Sequence, residues 1–161
     1  MANLLEMRSL SASYDANIVL EDVNFTVGEN DFTGVIGPNG GGKTTLLKVI
    51  LGLIKPVKGK IVFNSDLING NSIGYMPQIS TGDASYPVTV TDIILSGMMI
   101  RKKILSKMSA NDKKKAHEII EKLGLSGMER SSLTELSGGQ IQRVFLGRAI
   151  IGNPKLLLLD E

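Results

Sequence analysis

The chain lacks cysteine and tryptophan, and it has one histidine, His117, among its 161 residues. Without cysteine it can form no disulfide and carry out no thiol chemistry, which fits a reducing compartment. A single histidine excludes catalytic schemes that need two. Because His117 stands among lysines and glutamates in a helical pattern, we expect its side chain to be exposed and without a catalytic role.

Long apolar runs are also missing. The most apolar region, residues 144–159, is interrupted by polar residues such as Arg148 and by Pro154, so it falls short of the ~20 apolar residues of a membrane-spanning helix. The N-terminal residues have no basic region followed by an apolar run, which a secretion signal requires. Any role at a membrane is therefore predicted to depend on a partner protein.

Aromatic residues are scarce at 4%, so the core is predicted to be aliphatic. The 42% hydrophobic and 21% charged fractions are typical of a globular protein, and the length suffices for one domain with a sizeable core. Glycine, by contrast, is abundant, with 18 residues against a usual level of about 7%. Because these glycines form no repeat, they indicate special backbone positions such as turns and ligand-binding loops.

The net charge of +2 is unevenly distributed. Residues 101–115 contain seven basic residues and one acidic residue, Asp112, and so carry a charge of +6. Such a segment could meet nucleic acid, acidic lipid or an acidic protein. We favour the simpler interpretation, a solvated helix face, because clusters of lysine are common on exposed helices.

Hydrophobic periodicity predicts an α/β protein. Strands are predicted at 3–8, 18–27, 32–36, 60–63 and 72–76, and the continuous apolar run at 156–159 predicts a strand buried on both faces. Helices are predicted at 44–53, over most of 89–124 and at 137–151. Within the second of these helical stretches, Ser109 is expected to start a helix and Gly124 to end it.

A glycine-rich loop lies between the predicted strand at 32–36 and the helix that follows it. Its residues are Gly37, Pro38, Asn39, Gly40, Gly41, Gly42, Lys43, Thr44 and Thr45. They fit the phosphate-loop pattern, in which glycines let successive backbone N–H groups point at phosphate oxygens and a helix N-terminus adds its partial positive charge. Lys43 would reach the β- and γ-phosphates, and the Thr44 hydroxyl would ligate Mg²⁺.

Two acidic residues, Asp160 and Glu161, follow the apolar run at 156–159. Residues at the carboxyl end of a parallel strand face the ligand crevice. Asp160 is therefore predicted to hold Mg²⁺, and Glu161 to orient or deprotonate an attacking water. An apolar strand that ends in two acids is weak evidence alone, but it gains weight from the phosphate loop upstream.

The pentapeptide Leu136-Ser137-Gly138-Gly139-Gln140 opens the last predicted helix. It resembles the signature motif of ATP-binding-cassette (ABC) ATPases, and the whole chain fits that family. Small residues and N–H groups at a helix start suit a second anion site. In the family this motif meets the γ-phosphate bound to the other subunit. The resemblance therefore implies a head-to-tail dimer with a second ATPase subunit, in which Ser137, Gly138, Gly139 and Gln140 contact the nucleotide.

Two further residues stand where the resemblance places functional groups. Tyr14 precedes the second strand, at the position of an aromatic residue that stacks on adenine. Gln78 matches the glutamine that links the core to the helical subdomain and that touches Mg²⁺ or the attacking water. Without the resemblance, Tyr14 would be interpreted as a packing residue and Gln78 as a polar loop residue.

The resemblance implies a P-loop nucleoside-triphosphatase fold, with a parallel sheet and flanking helices, an antiparallel N-terminal β part and a helical insertion. Residues 1–88 and 136–161 would form the nucleotide-binding core, and about 89–135 the helical subdomain. The family's cassette continues beyond its Asp-Glu pair. We therefore expect this chain to be truncated after the strand at 156–159 and inactive as an ATPase in this form.

A finer resemblance concerns the transported substrate. Residues 40–45 and 86–97 are similar to those of bacterial zinc/manganese-type importer ATPases. This implies that hydrolysis of MgATP drives import of a divalent metal through a membrane permease, with a substrate-binding protein as an indirect partner. The subunit would lie in the cytoplasm, peripheral on the inner face of the cell membrane. The metal ion would not touch this chain, and no nucleic acid is expected to bind.

Two other functions stay open. The first is an ABC ATPase that acts on nucleic acid or the ribosome, which the basic segment 101–115 supports. The lack of a long coiled-coil arm and of a second cassette opposes it. The second is an ATP-binding module without turnover.

Overall fold

The computed structural model of the chain describes residues 3–14, 17–68, 73–78, 88–99 and 108–160. The chain divides into two compact units, Met1–Gly70 and Asn71–Glu161. In its described part, the first unit is an antiparallel sheet with one helix of two turns and one single-turn helix. The described part of the second unit is a pair of parallel strands with three α-helices.

The sheet of the first unit has three antiparallel strands in the order β2–β1–β3. β1 is Asn3–Tyr14, β2 is Asn17–Gly28 and β3 is Lys58–Phe63. These strands contain the predicted ones at 3–8, 18–27 and 60–63 and extend beyond them. β1 is central because it pairs with both neighbours, and several register shifts interrupt its ladders.

The core of the first unit is built on β1 and the first helix. The buried β1 side chains include Leu5, Met7 and Leu10, of which at most 2% is exposed. Helix α1, Lys43–Ile50, buries Leu46 and other residues at helical spacing. It ends three residues earlier than the predicted 44–53, because Gly52 has a positive φ of 72° that does not continue a helix. A single turn, α2 (Ser65–Ile68), follows β3.

The second unit holds strands β4, Ile73–Met76, and β5, Leu156–Leu159, which pair in parallel. Its helices are α3 (Val90–Ser96), α4 (Ala110–Lys122) and α5 (Gly138–Ile150), with a short 3₁₀ turn at Leu133–Glu135. The helices start close to the predicted positions, and α4 ends before Gly124, whose φ of 63° suits a glycine that terminates a helix. The predicted strand at 72–76 is β4, although Ser72 lies outside the described residues.

Each helix of the second unit begins at a side-chain cap. Ser109 caps α4: its hydroxyl accepts from the Asp112 amide, while the Asp112 carboxylate accepts from the Ser109 amide at 2.7 Å. Thr89 and Ser137 cap α3 and α5 in the same reciprocal way. Because such a cap satisfies N–H groups that the helix itself leaves unpaired, each stabilises its helix by about 1 kcal/mol.

Close backbone contacts hold the helices of the second unit together. A Cβ at Gly147 of α5 would lie about 3.1 Å from side-chain atoms of Ile94 and Leu123, so the glycine lets α3 and α4 approach α5. Gly74 of β4 and Gly97 lie directly against the α5 carbonyls of Ala149 and Arg148. The apolar cluster around these contacts includes fully buried residues from all three helices: Val90, Ile94, Ala116, Ile120 and Val144.

The predicted strand at 32–36 is wrong. These residues have no regular secondary structure, and Phe32 and Ile36 are 100% and 97% exposed. An extended apolar segment becomes a strand only where neighbours accept and donate its ladder hydrogen bonds. In the described part of the chain the ladders are β2–β1–β3 and β4–β5, and neither takes up this segment.

The predicted burial of β5 on both faces is also wrong. Only Leu158 is buried, whereas Leu157 and Leu159 are 38% and 55% exposed. The strand is exposed because, among the described residues, it has a neighbouring strand on one side only. The domain division into 1–88 plus 136–161 and about 89–135 stays a prediction. Within the described ranges no helix has the length and apolarity needed to cross a membrane.

Candidate functional site

The glycine-rich loop forms an open turn in front of α1. Residues 37–41 are exposed, and the Gly41 amide donates to the Pro38 carbonyl at 3.0 Å. Gly40 has a φ of 77°, a left-handed conformation that residues with a Cβ rarely adopt. A Cβ at Gly37 or Gly40 would meet no atom within 4 Å. The loop therefore leaves open space beside its backbone.

Gly42 fixes the junction between the loop and α1. It is the N-terminal cap of the helix and has a φ of 85°. A Cβ there would lie 2.9 Å from the Leu20 side chain and 3.1 Å from the Val19 carbonyl. This position therefore requires glycine for two reasons: its left-handed backbone conformation and the lack of space for a Cβ. With no side-chain cap on the helix, the N–H groups of its first turn are oriented toward the loop.

Lys43 folds its side chain back over the loop. Its ammonium donates to the carbonyls of Gly37 and Pro38, each at 2.9 Å. The positive charge is therefore held at the mouth of the turn by two neutral acceptors. In the same first turn Thr45 is buried and Thr44 half-buried, as the packing of α1 against the sheet requires.

Tyr14 lies at the end of β1 and is 46% exposed. The Lys48 ammonium stands 5.8 Å from the centre of its ring and 3.5 Å from its hydroxyl oxygen. The shorter of the two distances is to the hydroxyl, so the ammonium lies at the hydroxyl end of the ring. Lys48 is a neighbour that the sequence pattern did not reveal, because it depends on how α1 packs near the end of β1.

In the second unit, β4 and β5 bring Gln78 and Asp160 to the same end of the strand pair. Met76 pairs with Leu159, and the Asp160 amide donates to the Met76 carbonyl at 2.9 Å. Gln78 follows β4 two residues later and is exposed. The parallel pairing therefore places both residues beyond the carboxyl ends of neighbouring strands. In open α/β sheets this is the edge at which ligands bind.

Tyr75 is a further residue at this edge. It pairs with Leu158 in the ladder, and its hydroxyl donates to Asp160 Oδ2 at 3.4 Å. Partial burial, together with the Asp160 charge and this hydrogen bond, raises the pKa of the Tyr75 phenol. The two-residue period of a strand places Leu158 and Asp160 on one face, and Tyr75 shares that face through its pairing with Leu158.

The Ser137–Gln140 segment forms the first turn of α5. The Ser137 amide donates to Gln140 Oε1 at 2.7 Å, and the Gln140 amide donates to the Ser137 hydroxyl at 3.4 Å. Gly138 and Gly139 are exposed, and a Cβ on either would meet no atom within 4 Å. Among the described residues, no side chain therefore covers the surface of the first turn at the two glycines. Ser137 and Gln140 cap the same turn.

Arg143, one turn further along α5, was not predicted as a site residue. Its guanidinium donates to the Leu123 carbonyl at 3.0 Å, to the Gly124 carbonyl at 3.4 Å and to the Gly139 carbonyl at 3.4 Å. The spacing of Arg143 from Gly139 is visible in the sequence. The approach of α4 to α5, which supplies the other two acceptors, is not.

His117 is exposed as expected, with 67% of its side chain accessible. Its Nδ1 lies 4.0 Å from Glu129 Oε1. Hydrogen bonds from the backbone amides of Glu129 itself and of Gly127, with a smaller contribution from His117, hold the pKa of Glu129 below its usual value. The absence of a catalytic role for His117 stays a prediction.

Each unit contains oxygen-bearing side chains of the kind that Mg²⁺ prefers as ligands. Mg²⁺ prefers oxygen ligands and is usually bound through one or two carboxylates together with substrate phosphates. The Asp160 carboxylate, the Thr44 hydroxyl and the Gln78 amide oxygen are such donors. In the described ranges no three His, Cys, Asp or Glu side chains cluster as an all-protein metal site would need. Glu161 lies outside the described residues.

The predicted site residues therefore fall into two sets. Tyr14 and the loop from Gly37 to Thr45 belong to the first unit. Gln78, Asp160 and the Ser137–Gln140 segment belong to the second. The roles of the residues in both sets stay predictions.

Known proteins are similar to this chain in sequence and fold. Residues 20–161 match the model of a family described as ABC transporter. The zinc uptake system ATP-binding protein ZurA of Listeria monocytogenes serovar 1/2a is 36% identical over 100% of this chain and 65% of its own length. The manganese transport system ATP-binding protein MntB of Listeria innocua serovar 6a is 31% identical over 98% of this chain and 66% of its own length.

A solved structure agrees with the architecture. MJ1267, an ATP-binding cassette of an ABC transporter, superposes with a TM-score of 0.81 at 29% identity, over 100% of this chain and 70% of that one. The predicted fold class, an α/β protein with an antiparallel N-terminal sheet and parallel strands, is thereby confirmed. The chain spans about two thirds of the length of these proteins.

Proposed function

Because the chain belongs to the ABC transporter family, we propose that it binds ATP with Mg²⁺ and serves as the ATP-binding subunit of a transporter. The observation that carries this proposal is the turn in front of α1. Gly40 and Gly42 adopt left-handed conformations there, and the Lys43 ammonium donates to two carbonyls of the turn. This arrangement matches the cradle that a triphosphate needs.

The loop would bind the triphosphate by exchanging partners. Lys43 now donates to two neutral carbonyls at 2.9 Å, and phosphate oxygens would replace them as charged acceptors, which form stronger hydrogen bonds. The N–H groups of the first α1 turn and the positive end of the helix dipole would add to the attraction. Tyr14, with nearly half of its surface exposed, would offer a ring face to the adenine.

Asp160 and Thr44 would hold Mg²⁺, and Gln78 would contact it or the attacking water. When bound, Mg²⁺ supplies positive charge that offsets the charge developing on the phosphates. Tyr75 already orients the Asp160 carboxylate through its hydroxyl. Glu161, next along the chain, would align the water for attack on the γ-phosphate.

Hydrolysis would need a second copy. In the proposed dimer, the Gly138 and Gly139 amides of one copy meet the γ-phosphate bound by the other, and Ser137 and Gln140 keep this turn capped. Each nucleotide would then contact both copies only after they close, so that binding closes the dimer and hydrolysis opens it.

The transported substrate is proposed to be a divalent metal. The named relatives are a zinc uptake and a manganese transport ATP-binding protein. By analogy, this chain would work with a membrane permease at the inner face of the cell membrane, and indirectly with a substrate-binding protein. The two relatives differ in metal, so zinc and manganese are both retained.

The nucleotide proposal is tested with Lys43→Ala in the purified chain. We expect calorimetry to show ATP binding weakened by about 10- to 100-fold, because a charge-assisted contact to phosphate is lost. Lys55→Ala, an exposed lysine beyond α1, is the matched control and should bind as the wild type does. Equal affinities of Lys43→Ala and the control would refute the role of Lys43.

The hydrolysis proposal is tested with Glu161→Gln in a chain extended to the full length of the relatives. We expect this variant to remain as an ATP-bound dimer in size-exclusion chromatography, because it positions the nucleotides but cannot activate water. Normal turnover by the variant would remove Glu161 from the mechanism. A salt-dependent affinity of the wild type for DNA or RNA would contradict the transporter proposal.

A further inference from the structure

One arginine side chain joins the end of α4 to the beginning of α5. Arg143 Nη1 donates to the carbonyl of Leu123 at 3.0 Å and to that of Gly124 at 3.4 Å, both at the C-terminus of α4. Its Nε donates to the carbonyl of Gly139 in the first turn of α5 at 3.4 Å. A single planar group thus contacts both elements.

The end of α4 is shaped to receive this side chain. Gly124 has a φ of 63° and stops the helix, which leaves the last carbonyls exposed. A Cβ at Gly124 would lie 3.2 Å from Arg143 Nη1, so a larger residue would crowd the guanidinium. The carbonyl end of a helix carries partial negative charge, which favours a cation at this point.

Side-chain packing along α5 also holds the end of α4 against α5. Gly147, one turn after Arg143, lets the Leu123 side chain approach within contact distance of α5. Leu123 therefore meets α5 through its side chain at Gly147 and through its carbonyl at Arg143. The end of α4 is attached at two successive turns of α5.

The attached turn carries the exposed glycines. Gly139 supplies one carbonyl to Arg143, and its amide, like that of Gly138, lies in the open turn that Ser137 and Gln140 cap. A rotation of this turn would redirect both amides. The cap holds the turn from within α5, whereas Arg143 relates it to α4.

We propose that Arg143 is a positioning residue that fixes the first turn of α5 against the end of α4, so that the amides of Gly138 and Gly139 point at the nucleotide of a second copy. This inference rests on the proposed function, because it assigns a use to the proposed dimer contact. A lysine could not replace the arginine fully, since one ammonium does not reach acceptors on both elements in a planar fork.

The test uses the purified chain as wild type, Arg143→Ala, Arg143→Lys and Arg130→Ala. Arg130 is also exposed and serves as the matched control. Calorimetry measures MgATP affinity, sedimentation velocity measures MgATP-dependent self-association, and amide hydrogen exchange without nucleotide reports on the first turn of α5.

We expect Arg143→Ala to bind MgATP within about twofold of the wild type but to self-associate at least about 10-fold more weakly, because displaced donors lose their geometry. Exchange at the start of α5 should rise, Arg143→Lys should fall between wild type and Arg143→Ala, and Arg130→Ala should match the wild type. A merely structural role would lower affinity and association together.

The outcomes separate the two proposals. If the wild type associates with MgATP and Arg143→Ala does so equally well, the positioning role is overturned and the proposed function stands. A parallel loss of affinity and association in Arg143→Ala would also overturn it. If the wild type binds MgATP without associating, the proposed dimer fails, and the positioning role fails with it.

Discussion

The ammonium of Lys48 stands 5.8 Å from the centre of the Tyr14 ring and 3.5 Å from its hydroxyl oxygen. The cation therefore touches the side chain that is proposed to stack on adenine. The substitution Tyr14→Phe distinguishes the hydrogen bond from the contact with the ring, because phenylalanine retains the ring and lacks the hydroxyl.

Replacing Tyr14 tests the stacking role. We expect Tyr14→Phe to retain ATP affinity and Tyr14→Ala to lose about 2- to 10-fold, because stacking contributes about 0.5–1.5 kcal/mol and needs only a ring face. Calorimetric titration with ATP measures both variants. An equal loss in Tyr14→Phe would assign the effect to the hydroxyl and its contact with Lys48.

Gly42→Ala and Gly37→Ala form a matched pair in the loop. Gly42 has a φ of 85°, and a Cβ there would crowd Leu20. We therefore expect thermal denaturation to show that Gly42→Ala lowers the free energy of unfolding by about 1–2 kcal/mol. At Gly37 a Cβ meets open space, and stability should not change. If phosphate fills that space, Gly37→Ala should still weaken ATP binding. Unchanged affinity would place the phosphates elsewhere.

Gly74→Ala tests the packing of β4 against α5. An added Cβ would collide with the Ala149 carbonyl, which belongs to the backbone and cannot rotate away. We expect the free energy of unfolding to fall by about 1–3 kcal/mol, as in other overpacked sites. Gly138→Ala, where a Cβ would meet no atom within 4 Å, is the control for stability in urea denaturation.

Tyr75→Phe tests the contact with Asp160. Removing the hydroxyl deletes the hydrogen bond to Asp160 Oδ2 and keeps the ring. If Asp160 holds Mg²⁺, the Mg²⁺ concentration required for half-maximal ATP binding should rise by about 2- to 10-fold, the range for one hydrogen bond. Binding measured in EDTA should not change. A Mg²⁺ requirement identical to that of the wild type would contradict this positioning.

Local signals in the sequence were sufficient for several elements. Ser109 was predicted to start a helix and does so, because a cap depends on residues only three positions away. Gly124 was predicted to end the same helix, and its positive φ agrees. The glycine-rich turn before α1 is likewise visible in the sequence, since its glycines and Lys43 lie within one short segment.

Contacts between distant segments were beyond the sequence pattern. Residues 32–36 have the composition of a strand, but strand formation depends on partners that composition does not specify. Arg143 is one of several basic residues on α5 and α4, and only the approach of Leu123 and Gly124 distinguishes it. Lys48 became a neighbour of Tyr14 through the packing of α1.

The pairing of Ile73 with Leu156 also has a kinetic consequence. Tyr14 of β1 pairs with Asn17 of β2, which is close to it in the sequence, whereas β4 and β5 must meet across most of the second unit. Closing the longer loop costs more chain entropy before any hydrogen bond forms. During synthesis β1 and β2 can therefore pair early, while the edge that carries Asp160 is completed only after β5 has emerged.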